Sequence, residues 1–233
     1  MINNLIDNRE LTFSLRINIL VVLLALFVMI LIRNAWVNDD AYITFRTIDN
    51  FINGYGLRWN VVERVQAYTN PLWMFVLSGF YVFTKEIYFT NLIVSIFLSV
   101  LTVYLVVFKM AKSAFSALLA LVIFISSRAF LHYSASGLEN PLTNVLIVWF
   151  FLVYFRVYLE QAVHKSQTIF LLAFIAGLAI LNRMDNLLIF MPALVLILWE
   201  NRSWKNMALM IAGIMPFIPS HFYVNDFMYE PVG

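Results

Sequence analysis

Ile17-Asn18-Ile19-Leu20-Val21-Val22-Leu23-Leu24-Ala25-Leu26-Phe27-Val28-Met29-Ile30-Leu31-Ile32 is an apolar run broken by one asparagine. It approaches the ~20 residues that span a bilayer core, as does the run at 88–108. The chain is 63% hydrophobic and 17% aromatic, with 12% charged residues. Soluble domains are about 45–50% apolar. These features predict an all-α, polytopic helical membrane protein. Residues 1–16 carry Arg9 and Arg16 but no cleavage pattern, so 17–32 reads as a retained first span. Cysteine is absent, which excludes disulfides and thiolate metal sites. The net charge of +2 identifies no partner, and nothing in the sequence points to nucleic acid.

Further apolar runs lie at about 71–84, 88–108, 114–131, 141–158, 167–181, 187–199 and 205–219. The first is too short to cross: at 1.5 Å per residue it reaches ~21 Å of a ~30 Å core. Read as an interfacial helix, it leaves seven spans with the N-terminus inside. Arg9/Arg16, Lys109/Lys112, Arg156/Lys165 and Arg202/Lys205 then all face the cytoplasm, as the positive-inside rule asks. The outer loop 33–87, with interfacial helices at 40–53 and 71–84, shares the opposite face with 136–140 and 182–186. The span centres read as apolar.

Asp39-Asp40-Ala41-Tyr42-Ile43-Thr44-Phe45-Arg46 opens the first interfacial helix. Ala41, Phe45, Ile48 and Ile52 repeat at helical spacing, with Arg46, Asp49 and Asn53 on another stripe. Asp39 and Asp40 support two readings: catalytic or metal-binding carboxylates, or a plain helix start in which Asn38 or Asp39 is the N-cap and the acids meet the helix dipole. Tyr68, Asn70 and Trp73 form either a sugar- or lipid-facing wall or an aromatic belt with a cap. Glu139 and Asp185 are open to a groove role or to helix-end and charge-neutralising roles. Arg183 pairs with Asp185 or binds a phosphate oxyanion. The three histidines have no metal-ligand spacing.

The run from Asp39 to Arg46 has companions at Gly54-Tyr55-Gly56-Leu57-Arg58-Trp59-Asn60, Glu63-Arg64-Val65, Tyr68-Thr69-Asn70-Pro71-Leu72-Trp73, Ser136-Gly137-Leu138-Glu139-Asn140-Pro141 and Arg183-Met184-Asp185. Together these resemble the GT-C glycosyltransferases, in particular bacterial arabinofuranosyltransferases that cap cell-wall arabinan. The resemblance covers roughly 15–225. It departs from the family at Met184-Asp185-Asn186, where Pro-Asp-Gly is usual, and at Gln66-Ala67, where Glu-Gly is common. Members usually continue with further spans and an outer domain. The expectation is therefore a donor-side module, with acceptor binding supplied by a missing C-terminal region or a partner.

The resemblance implies an inverting transfer of a sugar, arabinofuranose among the candidates, from a polyprenyl-phosphate donor. The acceptor would be an envelope glycan, glycolipid or protein at the outer face of the bacterial cytoplasmic membrane. It makes Asp39 and Asp40 the catalytic acids, one as the base, with a divalent cation as a candidate cofactor at either. Arg46 and Arg183 would serve the donor phosphate. The alternative is a non-enzymatic membrane protein, either a lipid-sugar flippase or transporter component or an inactive truncated relative.

Overall fold

The computed structural model describes residues 2–62, 69–159, 166–200 and 202–217, and among these it contains helices and no strand. Helix α1 runs from Ile2 to Arg33, so the helix extends well before the apolar run at 17–32. Phe27 and Leu31, one turn apart, pack into a cluster with Val103, Val107, Ala117 and Leu121. Helices α2 (Asp39–Ile52) and α3 (Pro71–Thr84) follow. Pro71 sits in the first turn of α3, where its missing N–H costs nothing. Lys85 ends α3 in the left-handed region at φ 54°, and the Glu86 carboxylate then caps α4, accepting from Tyr88 N and Phe89 N at 3.1 and 2.7 Å.

Helix α4 (Ile87–Tyr104) continues through a π-helical segment, Leu105–Met110. Its buried face corrects the expectation of apolar span centres. Thr90, Asn91, Ser95, Ser99 and Thr102 line it, and Ser99 Oγ donates to Ser134 O at 3.2 Å. The run at 114–131 is likewise not one helix. It is divided at Ser127 into α5 (Ala114–Ser126) and α6 (Arg128–Tyr133), because Ser127 takes extended backbone and its Oγ accepts from Phe130 N. Helices α7 (Asn140–Leu159), α8 (Ser166–Asn182), α9 (Leu187–Glu200) and α10 (Trp204–Ile214) complete the described structure. Phe150, Ile169, Leu172, Ile175, Phe190 and Ile197 form the centre of their core.

Among the described residues, two helical stretches are by length and composition sufficient to cross a membrane, Ile87–Met110 and Asn140–Val157. Asn18–Arg33, Pro71–Thr84, Ala114–Ser126 and Ser166–Asn182 are shorter apolar helices. The start of α3 is tied to the 134–139 loop through Trp73, whose Nε1 donates to Gly137 O. Its end meets the first turn of α4, where Thr84 and Thr90 hydroxyls are 2.6 Å apart. The far end of α4 lies beside Leu152, Phe155 and Arg156 of α7. The polar motifs therefore gather at one end of the bundle and a set of cations at the other.

Helices α8 and α10 approach closely because both present small residues. A Cβ on Gly213 would lie 2.7 Å from Ala173 Cβ, and one on Gly177 would strike the Phe217 ring. Gly79, on the exposed face of α3, has nothing within 4 Å of its would-be Cβ. Two opposite outcomes are expected in thermal unfolding of the detergent-purified protein. Gly213→Val lowers stability by about 1–3 kcal/mol through overpacking. Gly79→Ala raises it by about 0.4–1 kcal/mol, since only the unfolded chain loses freedom. Unchanged unfolding of Gly213→Val would contradict the close α8–α10 packing.

Candidate active site

The first turn of α2 shows which residue caps it. Asn38 is extended, and its Oδ1 accepts from Asp40 N at 3.2 Å while its own N–H donates to Ser136 O at 2.8 Å. Asn38 therefore takes the capping position. Asp39 and Asp40 follow it with exposed side chains, and Asp39 Oδ1 also accepts from Asp40 N at 3.1 Å. Both acids lie where the helix dipole favours negative charge. Arg46 comes seven residues after Asp39, close to two whole turns, so the two share a face about 10 Å apart along the axis. Asp40 points about 120° away from that line.

The Arg46 guanidinium lies 4.6 Å from the Trp59 ring centroid. Asn50 Nδ2 donates to Arg58 O and Trp59 O at 2.8 and 3.0 Å, which folds the following segment back onto α2. That return requires Gly54 and Gly56, both at φ above 80°.

The neighbouring wall is the loop from Ser134 to Glu139. Gly137 has φ +86°, and a Cβ there would stand 2.6 Å from Ala41 Cβ, so the loop lies directly on α2. Glu139 is only 5% exposed. Its Oε2 accepts from Asn70 Nδ2 at 2.9 Å and its Oε1 from Arg183 Nη1 at 3.0 Å. Asn182 Nδ2 donates to Glu139 O at 3.2 Å and to Thr143 Oγ1 at 2.8 Å. Arg183 also forks onto Asp185, with Nε and Nη2 at 3.0 and 2.9 Å from its two carboxylate oxygens. The hydrogen bonds to Asp185, followed by the charges of Glu139 and Asp185, hold the guanidinium pKa above its ordinary value against the opposing effect of burial.

The structure thus joins Asn70, Trp73, Glu139, Arg183 and Asp185 around one loop and tethers Asp39 and Asp40 to it through Asn38. Tyr68 lies outside the described residues. Arg183 has committed N–H groups to two carboxylates, and that triad carries a net negative charge. Arg46 has no hydrogen-bond acceptor or carboxylate partner among the described residues. Among those residues no group of three His, Cys, Asp or Glu converges as a metal site. A divalent cation at Asp39 or Asp40 would draw its other ligands from substrate or solvent.

Sequence reasoning missed two features. Asn91 is fully buried, with Nδ2 unpartnered, and lies beside Gly137. Its signal was the 91, 95, 99, 102 spacing of small polar residues within an apolar helix. Tyr81 donates its hydroxyl to Asp49 Oδ1 at 2.7 Å, pinning α3 to α2. That pairing joins distant positions and has no local signature.

Comparison with known proteins supports a relation to glycosyltransferases. The chain is 26% identical over 199 residues to the terminal beta-(1->2)-arabinofuranosyltransferase of Mycobacterium tuberculosis (strain ATCC 25618 / H37Rv). The similarity takes in 79% of this chain and 32% of that protein, so the chain spans about a third of the relative's length. No family model matches, and no solved structure matches.

The Tyr81–Asp49 bond is open to a pH test. The hydrogen bond to Asp49, then burial and the Asp49 charge, push the Tyr81 pKa from 10.0 to about 12. The folded state favours the protonated phenol, so this contribution is complete below the unfolded pKa and disappears as pH rises from 10 through about 12. Unfolding measured across that range should show a loss of stability in the wild type that is smaller in Tyr81→Phe. Identical profiles would contradict the contact.

Proposed function

We propose that this chain is the donor-handling module of a membrane glycosyltransferase, with its reacting groups at the outward end of the bundle. The single observation that carries the reading is the similarity to an arabinofuranosyltransferase. Its support in the geometry is a pair of exposed carboxylates, relieved of capping by Asn38 and tethered to a buried charged network.

In this reading the helices of the bundle cross the bilayer, while α2 and α3 lie at its outer surface. Lys109, Lys112, Arg156, Arg202 and Lys205 face the cytoplasm, following the positive-inside rule. The donor is a sugar on a polyprenyl phosphate and the acceptor a hydroxyl of an envelope glycan, glycolipid or protein. The acceptor oxygen attacks the anomeric carbon, the bond from that carbon to the phosphate oxygen breaks, and configuration inverts. Asp39 removes the acceptor proton, and the lipid phosphate leaves carrying its charge. Arg46, on the same face of α2, neutralises that charge. Asp40 orients the acceptor or holds a divalent cation. Arg183 contributes its uncommitted N–H groups to the phosphate and keeps Glu139 in place.

Asp39→Asn is expected to lower transfer at least about 100-fold, the size of a general-base contribution, without loss of protein. Asp40→Asn should also impair it. The measurement is mass spectrometry of envelope glycans from cells complemented with each variant, alongside membrane protein levels. Wild-type glycans in both variants would remove the acids from the chemistry. Orientation has its own test, made simple by the absence of native cysteine. Met184→Cys, at an exposed position, should react with an impermeant thiol reagent added outside the cell. Lys112→Cys should stay protected until the membrane is opened, and labelling of both from outside would contradict the topology.

A further inference from the structure

The end of the bundle away from the acids contains a cleft of about 650 Å³. Lys109, Met110, Ala111, Lys112, Ser116, Leu152, Phe155 and Arg156 line it. Its cations come from three segments: the π-helical end of α4, the linker after it, and the last turns of α7. The π turn is sealed by Ala111 N donating to Val106 O, five residues back. Such turns shift the following side chains out of α-helical register. Lys109 leans toward the Tyr104 ring, 5.9 Å from its centroid. None of the three cations has a carboxylate partner among the described residues.

Three like charges around one cleft repel one another unless an anion sits between them. Apart from Ser116, the rest of the lining is apolar, from Met110, Ala111, Leu152 and Phe155. A free anion has no use for such a wall, whereas the glycerol backbone and upper acyl chains of a lipid do. We propose that this cleft binds the headgroup of a net-anionic phospholipid, its phosphate between Lys109, Lys112 and Arg156 and its chains along α7. The site is separate from the acids of α2 and takes no part in the transfer reaction. It rests on the membrane placement proposed above, but not on the glycosyltransferase reading. Basic pockets between spanning helices on the cytoplasmic side suit anionic headgroups.

The test uses the purified chain in mild detergent, with dioleoyl phosphatidylglycerol, dioleoyl phosphatidylcholine or sodium phosphate added. Bound lipid is read by native mass spectrometry. The wild type should retain phosphatidylglycerol in preference to phosphatidylcholine. Each cation contributes roughly fivefold in affinity. Retention should therefore weaken about fivefold in Arg156→Gln and on the order of 100-fold in the Lys109→Gln/Lys112→Gln/Arg156→Gln variant. Arg202→Gln/Lys205→Gln, which alters a basic loop outside the cleft lining, should retain lipid as the wild type does. Unfolding temperatures without lipid show whether each variant is folded, and the single substitution tests the site if the triple variant is not.

Equal retention of the two lipids, or undiminished retention in the Arg156→Gln variant, would overturn the proposal. So would competition by millimolar sodium phosphate strong enough to displace the lipid fully, which would identify a phosphate site instead. None of these results bears on the labelling of Met184→Cys and Lys112→Cys, so failure here is distinguishable from failure of the membrane placement.

Discussion

A carboxylate buried to 5% exposure requires compensation, and the polar end of this protein is built around the compensation of Glu139. Burying an ion costs several kcal/mol, recovered only if its oxygens find well-placed donors. Here one oxygen takes Asn70 from the start of α3 and the other takes Arg183 from the turn between α8 and α9. Asn182 binds the carbonyl of the same residue. Two parts of the chain, distant in sequence, are thereby fixed to the start of α7. The loop just before Glu139 has to lie flat on α2, which is why Gly137 carries no side chain.

The same constraint bears on the acids of α2. Their helix is fastened to the buried loop by the bond from Asn38 N to Ser136 O and by packing of Ala41 against Gly137, while their carboxylates remain exposed. In the proposed reading this suits group transfer, since misplacement of a reacting group by even 1 Å is costly. Pairing with Glu139 and Asp185 turns Arg183 from a free cation into a structural one with some donor capacity left. Arg46, stacked on Trp59 and on the same face of α2 as Asp39, has no carboxylate partner among the described residues.

Much of this was legible locally. The helix from Asp39 follows from its apolar spacing, and Asn70-Pro71 marks the start of α3. The tight Arg183–Asp185 pairing follows from residues two apart at a turn. The capping question was answered by geometry: two candidates, Asn38 and Asp39, stood side by side, and only backbone angles show that Asn38 holds the position. The seam on α4 was hidden because Ser95, Ser99 and Thr102 scarcely change the average polarity of an apolar helix. The division at Ser127 was hidden for the same reason. The contacts of Glu139 and of Tyr81 were not legible, because they depend on which distant segments meet.

The central claim is that Glu139 and Arg183 act as one unit, and a double-mutant cycle tests it most directly. Thermal unfolding is measured for Glu139→Gln, Arg183→Gln and the combination. Each single change should cost about 1–3 kcal/mol, at the lower end because the Arg183 side chain is 47% exposed. The double variant should fall within about 0.5 kcal/mol of the worse single one, since removing either partner already abolishes the pair. Costs that simply add would contradict the account, showing that the two side chains stabilise the protein independently.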